Sequence, residues 1–314
     1  MQEAEAACLE ALAIRRKLAS ANPSVYLSSV STSLNNLALV FRFTQRMKEA
    51  EAANQESLAI CRELAQANRK EYLPDVATIL NNLALLYQST QRFAEAEAVY
   101  QEALAICREL AQANPNAYLP SLAIKLNNLT VLYGSTGRMR EAEVVGEEAL
   151  VIRRDLARKN PAVYLPDVAA TVNNLSILQR KRCGMKEAED GYKESLAISR
   201  TLAEVSSGAH LPDVANTLNN LAILYRETQR MKEALDCCVE AETLLHPLWQ
   251  ACPELHGDQM AKTLLTRALI EEQLGKPRKD LCALARRAFE IAFHPETKAG
   301  TQRLIDRFCG TESD

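Results

Sequence analysis

Apolar and polar positions recur along this chain with a fixed step. The string LNNLA begins at Leu34, Leu80 and Leu218, with LNNLT at Leu126 and VNNLS at Val172, and each step is 46 residues. Glu-Ala-Glu starts at Glu3, Glu49, Glu95, Glu141 and Glu187 in the same register. Arg16, Arg62, Arg108, Arg154 and Arg200 form another ladder, as do Leu27, Leu73, Leu119, Leu165 and Leu211. Tyr26, Tyr72, Tyr118 and Tyr164 form a further one, continued by His210. Within the second unit, Val76, Leu80, Leu83, Ala84 and Tyr87 make one helical stripe, which predicts a first helix from Pro74 to Ser89. Pro74 at its first position and Asp75 in its first turn suit a helix start. Ser89-Thr90-Gln91-Arg92 is the expected break. Phe93, Ala96, Tyr100, Ala103, Cys107 and Leu110 make a second stripe, ending near Ala113 because Asn114-Pro115 cannot continue the helix. Tyr118 and Leu119 are expected to plug the junction before Pro120.

Each unit is therefore a helical hairpin of about 16 and 20 residues. One hairpin cannot bury its apolar faces alone, and stacked neighbours bury them as a solenoid. The whole chain, 1–314, reads as one such domain. Helix pairs are expected in 23–68, 69–114, 115–160, 161–206 and 207–252, giving five repeats over 23–252. Residues 253–310 read as a degenerate capping repeat with a last helix near 296–309: Leu264 keeps the Leu218 position, but Leu265 and Thr266 replace Asn219 and Asn220. Residues 1–21 match a second helix without its first, so the expectation is a half repeat in a piece of a longer protein.

Leu83, Ala84, Tyr87, Ala96, Tyr100 and Ala103 carry the spacing of the tetratricopeptide repeat, and the pattern resembles that family over nearly the whole chain. It is most similar to the kinesin light chain subtype, in which LNNLA-x-LY is likewise followed by a short turn, EAE and ALxI. Long arrays of this kind also resemble those of bacterial multidomain signalling proteins. The resemblance implies an all-α, right-handed superhelix of stacked antiparallel helix pairs. Its first helices would line a concave groove for a protein or peptide segment.

Composition agrees with helix. Gly is 10 of 314 residues and aromatics are 5%, too few for a sandwich or barrel. At 47% apolar the chain can bury a core, yet no apolar run approaches the ~18 residues of a membrane span. A formal charge of −3 argues against nucleic acid as a partner, which needs a basic face. Nine scattered cysteines read as reduced thiols of a cytoplasmic protein, with Cys237-Cys238 as buried structural thiols. His246, Cys252 and His256 match no metal-site spacing, and no phosphate loop or His-Glu-x-x-His occurs, so the sequence predicts no enzyme, metal or cofactor. The recurring EAE glutamates read as solvated helix faces with i,i+4 partners. The Arg16 to Arg200 ladder reads as structural, pairing between repeats with Glu10, Glu56, Glu102, Glu148 and Glu194.

The paired asparagines Asn35-Asn36, Asn81-Asn82, Asn127-Asn128, Asn173-Asn174 and Asn219-Asn220 are the unusual feature. Each costs roughly 0.5 kcal/mol against Ala inside a helix, so their recurrence asks for a reason. A carboxamide offers donors and an acceptor to an extended peptide backbone. It can equally bond between successive first helices, and both uses stay open at this point. Seven residues after each first Asn come Arg42, Gln88, Gly134, Arg180 and Arg226. Arg42, Arg180 and Arg226 could pair with acidic side chains or a free carboxylate of the ligand, or relieve the helix dipole. Rival uses are a spacer, self-association through the open half repeat, or a ligand-sensing array for an upstream effector domain.

Overall fold

The computed structural model describes residues 2–206 and 208–310. Met1, Ser207 and residues 311–314, which fall in the expected half repeat, the fifth repeat and the chain end, lie outside them. The described residues form α-helices and connecting turns, with no strand. In order these are α1 (Gln2–Ala21), α2 (Pro23–Phe43), α3 (Met47–Ala67), α4 (Arg69–Ser89), α5 (Phe93–Ala113), α6 (Pro115–Ser135) and α7 (Met139–Lys159). They continue as α8 (Pro161–Lys181), α9 (Met185–Val205), α10 (Leu211–Glu227), α11 (Met231–Ala251), α12 (Pro253–Gln273), α13 (Arg278–Ile291) and α14 (Pro295–Cys309). The chain divides into two compact units, Met1–Ile152 and Arg153–Asp314. In the first, each helix from α1 to α6 packs on the next, and α4 also touches α6. In the second, α8 to α14 pack in the same sequential way, with α10 touching both α8 and α12. The even-numbered helices from α2 to α10 carry the paired asparagines and are the A helices; the odd-numbered ones are the B helices.

The packing is set by small residues. Ala50, Ala96, Ala142, Ala188 and Ala234, one per repeat, are all fully buried, as are Ala103, Ala149 and Ala241. Such positions let neighbouring helices approach closely. Leucines such as Leu80, Leu126, Leu218 and Leu264, together with Tyr100 and Tyr192, fill the interior at no more than 1–2% exposure.

The A helices are longer than the sequence led us to expect. α4, α6 and α8 each run 21 residues and carry Pro74, Pro120 or Pro166 inside. The starts of all three lie upstream at an asparagine, whose side chain caps α4 and α6. Asn114 closes α5 through its N–H to Leu110 O at 2.9 Å and caps α6 by accepting from Ala117 N at 3.3 Å. Pro115 then stands where its missing N–H costs nothing. Tyr118 and Leu119 are therefore helical rather than a plug. Before the fifth repeat Ser206 takes the place of the asparagine, and α10 begins at Leu211 and is only 17 residues long.

The A-to-B turns share one geometry. Gln45, Gln91 and Gln229 adopt φ of 60–62°, with Gly137 at 80° and Cys183 at 65° in the equivalent turns. Arg46 N donates to Phe41 O and Arg92 N to Tyr87 O, both at 2.8 Å, closing each helix with a left-handed residue.

The expectation of wholly reduced thiols is corrected at the C-terminal end. Cys282 and Cys309 form a disulfide between α13 and α14, with Cα atoms 5.2 Å apart. Nothing in a 27-residue separation marks that pair in the sequence. Of the remaining cysteines, Cys61, Cys107 and Cys238 are buried as expected, whereas Cys183 and Cys252 are exposed. Burial pushes the Cys238 thiol up to about 12 and the Cys237 thiol to about 11.

Candidate partner-binding face

The asparagine pairs form a directional amide ladder between successive A helices. Asn82 Nδ2 donates to Asn35 Oδ1 at 2.8 Å, and Asn128 Nδ2 to Asn81 Oδ1 at 3.0 Å. Asn220 Nδ2 donates to Asn173 Oδ1 at 3.1 Å. Asn127 and Asn174 are also engaged. Asn36, on the first A helix, is exposed. At the other end Asn219 Oδ1 is buried without a partner, because the position facing it in register is Thr266. That hydroxyl donates to Lys262 O at 3.0 Å instead. In each bonded rung the first Asn uses its acceptor and the second its donor. In these three rungs the NH2 of Asn35, Asn81 and Asn173 and the carbonyl of Asn82, Asn128 and Asn220 are not used by the rung itself.

The cation row behaves differently from rung to rung. Arg180 Nη1 donates to Glu227 Oε1 of the next A helix at 2.6 Å, in the same register offset as the amide rungs. Arg180 is 16% exposed; burial, the largest single influence, opposes its charge, and the contacts with Glu227 and Tyr192 together outweigh it and raise the group above the ordinary arginine value. Its Nε and the Tyr192 hydroxyl are buried without hydrogen-bond partners. Arg42 lies over Phe43 at 5.6 Å, and Arg226 is partly exposed in the last turn of α10.

A second set of arginines went unnoticed in the sequence, although it keeps the 46-residue register. Arg46, Arg92, Arg138 and Arg230 stand at the ends of the A-to-B turns. Each guanidinium stacks on the aromatic ring of its own A helix, 4.1–4.3 Å from Phe41, Tyr87, Tyr133 and Tyr225. Each also binds the glutamate three residues on (Glu49, Glu95, Glu141, Glu233) and one on the preceding B helix (Glu5, Glu51, Glu97, Glu189). The second glutamate of the EAE thus clamps successive repeats, while the first is about half exposed and bonds within its own turn; the expected i,i+4 contacts also occur, as Lys193 to Glu189 and Gln55 to Glu51. The arginine bonds hold Glu49, Glu95, Glu141 and Glu233 below the usual carboxylate range. The outer arginines pair between repeats as expected: Arg16–Glu56, Arg62–Glu102, Arg108–Glu148 and Arg154–Glu194 at 2.5–2.8 Å, with Glu240 rather than Glu10 as the fifth partner, on Arg200.

Between α8 and α10, above α9, lies a cavity of about 110 Å³. Ser195, Ser199 and Thr217 form its buried floor, and Asp213 and Asn216 its exposed rim. Among the described residues no group of His, Cys, Asp and Glu is placed to hold a metal ion. His246 instead meets Trp249 edge-on at 5.8 Å. No described helix is long and apolar enough to cross a membrane.

Two family models, both for the tetratricopeptide repeat, match this chain, one over residues 29–109 and 75–155 and the other over 214–241. No curated protein sequence matches it. Among solved structures, BtubC (BKLC) from P. vanneervenii is 21% identical at a TM-score of 0.56, over 85% of this chain and 94% of that one. TPR-like repeats of a protein assigned as a kinesin light chain in Podosopora anserina are also 21% identical, at 0.54, over 69% and 95%. The Cut9–Hcn1 hetero-tetramer of the APC/C aligns at 0.58 with 13% identity, over 95% of this chain and 45% of that one. At such identities the likeness speaks for the fold.

Proposed function

The chain is a tetratricopeptide-repeat protein, a family that mediates protein–protein interactions, and on that footing we propose that it holds an extended partner segment against its A helices. It does no chemistry in this reading and works in the cytoplasm. The observation that carries the proposal is the half-used amide ladder. Asn35, Asn81 and Asn173 keep a donor, and Asn82, Asn128 and Asn220 an acceptor, after the rungs are made. Alternating donors and acceptors suit the peptide groups of an extended chain whatever its side chains. Acidic side chains or a terminal carboxylate would add contacts at Arg42 and Arg226. At Arg180 such a group would have to displace Glu227, which makes that position a competitive one.

The test is a footprint. Peptides selected on the intact chain from a random-sequence display library should protect A-helix amides of α4, α6, α8 and α10 from hydrogen exchange. Protection confined to the B helices would overturn the reading. A second reading, self-association, is favoured by the exposed apolar side chains Leu9, Ile14 and Leu18 on α1. Light scattering should then report a dimer that Ile14→Lys with Leu18→Lys dissolves.

A further inference from the structure

We infer that the cavity between α8 and α10 is a receptor for a guanidinium group, filled by an arginine side chain of the partner segment. Only the second half of that statement rests on the reading above.

The repeat register supplies the argument. The B-helix position under this cavity is Ser199, and its equivalents are Arg15, Cys61, Cys107, Arg153 and Leu245. Arg15 reaches up to the next A helix, its Nη1 donating to Ser29 O at 3.2 Å and Ser33 Oγ at 2.5 Å. Arg153 does the same in the second unit while only 4% exposed. Its Nη1 donates to Asp167 O at 3.0 Å and to Thr171 Oγ1, and its Nη2 lies 3.6 Å from Asp167 Oδ1. In the α5 repeat a cation comes from the opposite wall: Lys125, 4% exposed, donates to Ser121 Oγ at 2.8 Å. Three of the repeats thus place their own cation at this junction.

One repeat on from Arg153, every acceptor is reproduced and the arginine is not. Asp167 becomes Asp213, Thr171 becomes Thr217, and Arg153 becomes Ser199. Even the hydroxyl bonding is repeated. Thr171 Oγ1 donates to Asp167 O at 2.9 Å while accepting from Arg153, and Thr217 Oγ1 donates to Asp213 O at 3.0 Å. Its lone pairs are thereby aimed as those of Thr171 are. Truncation from Arg to Ser leaves the 110 Å³ cavity, several times the ~15 Å³ that one water needs. Its lining carries one carboxylate, Asp213, and no basic side chain. His210 Nδ1 holds Asp213 Oδ2 at 3.1 Å, which leaves Oδ1 for the incoming group. The mouth opens at the exposed residues Ala170, Asp213 and Asn216, so a ligand side chain enters from the A-helix face. The planar fork of arginine suits a carboxylate and a hydroxyl side by side, which a lysine ammonium matches less well.

The experiment uses the intact, isotopically labelled chain and Nα-acetyl-arginine amide as probe, with the amide signals of Ser199, Asp213 and Thr217 as readout. Saturable shifts are expected there, with the citrulline counterpart, which is isosteric and uncharged, at least about tenfold weaker. Ser199→Arg should abolish those shifts, because it seats the chain's own guanidinium as Arg153 is seated. That variant should also melt at or above the parent temperature, since arginine is native at the two equivalent positions 15 and 153. Equal binding of citrulline, shifts that survive Ser199→Arg, or a clear fall in its melting temperature would each overturn the assignment. If arginine amide fails while display-selected peptides still protect the A helices, the receptor is wrong and the partner-binding reading stands. If arginine amide binds and no peptide does, the receptor stands without that reading.

Discussion

Repeat two (α4 and α5) and repeat four (α8 and α9) share a core and differ in the polar devices around it. Both bury a tyrosine completely, Tyr100 in one and Tyr192 in the other, and both bury the close-packing alanine, Ala96 or Ala188. Repeat two locks its turn with Arg92, stacked 4.2 Å over Tyr87 and bonded to Glu95 and Glu51. Repeat four has neither part of that lock: Gln179 replaces the aromatic and Gly184 the arginine, although Glu187 remains in place. At the A-helix end repeat two presents Gln88, and repeat four presents the charged Arg180–Glu227 rung. The two repeats therefore share their small and apolar positions; the alanine is constant through the array, whereas the tyrosine position holds Asn54, Gly146 and Cys238 in the other repeats. The clamps and rungs differ between the two repeats.

The largest expected effect should be the same in both repeats. Tyr100→Ala and Tyr192→Ala should each cost about 3–5 kcal/mol, read from denaturant unfolding, because each empties a fully packed interior site. A much smaller cost in repeat four would break the claim of a shared core. Next comes Glu227→Ala, which leaves Arg180 largely buried and unpaired. A loss of about 1–2 kcal/mol is expected, discounted for the partial exposure of the pair. The register equivalent Ser135→Ala should be nearly neutral, since that hydroxyl bonds only its own helix, to Leu132 O.

The clamp gives a gain rather than a loss. Gln179→Tyr with Gly184→Arg should rebuild it around Glu187 and raise the melting temperature by a few degrees. Gly184 has φ of −80°, close to the −85° of Arg92, and a Cβ there would stand 3.3 Å from Gln179 O and Glu187 Oε2, so the exchange asks for a shift of a few tenths of an ångström. The clamps also fix the response to acid. Glu49, Glu95, Glu141 and Glu233 have folded pKa values below the ordinary value of 4.5. Their contribution is fully present above that value and is lost as pH falls through the lowered ones. Melting temperature should be flat near neutrality and drop below pH 4.5, with a smaller drop in Arg92→Met. The smallest effect concerns the turn: Gln91→Gly, at φ of 60°, should stabilise by up to about 1 kcal/mol.

The period and the alternation of helices could be read from hydrophobic spacing, and the outer arginine–glutamate ladder from the repetition of charged positions in the same register. Spacing says which face of a helix is buried. It does not say which polar group 40–47 residues away will meet it. That is why Arg92 with Glu51, and Arg180 with Glu227, came only from the structure. Pro74 looked like a helix start because proline favours that place, but Asn68 upstream had already set the start, accepting from Glu71 N. The receptor cavity had a sequence signal that passed unread: a drop in size from Arg153 to Ser199 with Asp213 and Thr217 kept.

Whether the amide ladder faces a partner is decided most directly by Asn81→Asp. The change keeps an Oδ1 to accept from Asn128 and replaces the NH2 donor with a second, negatively charged acceptor oxygen. Affinity for a display-selected peptide, by calorimetry, and melting temperature are measured on the same sample. The account predicts about tenfold weaker binding, with the melting temperature held within a few degrees. Unchanged affinity in Asn81→Asp, with a fall in stability when Asn128→Leu removes the rung, would make the ladder purely structural and contradict the account.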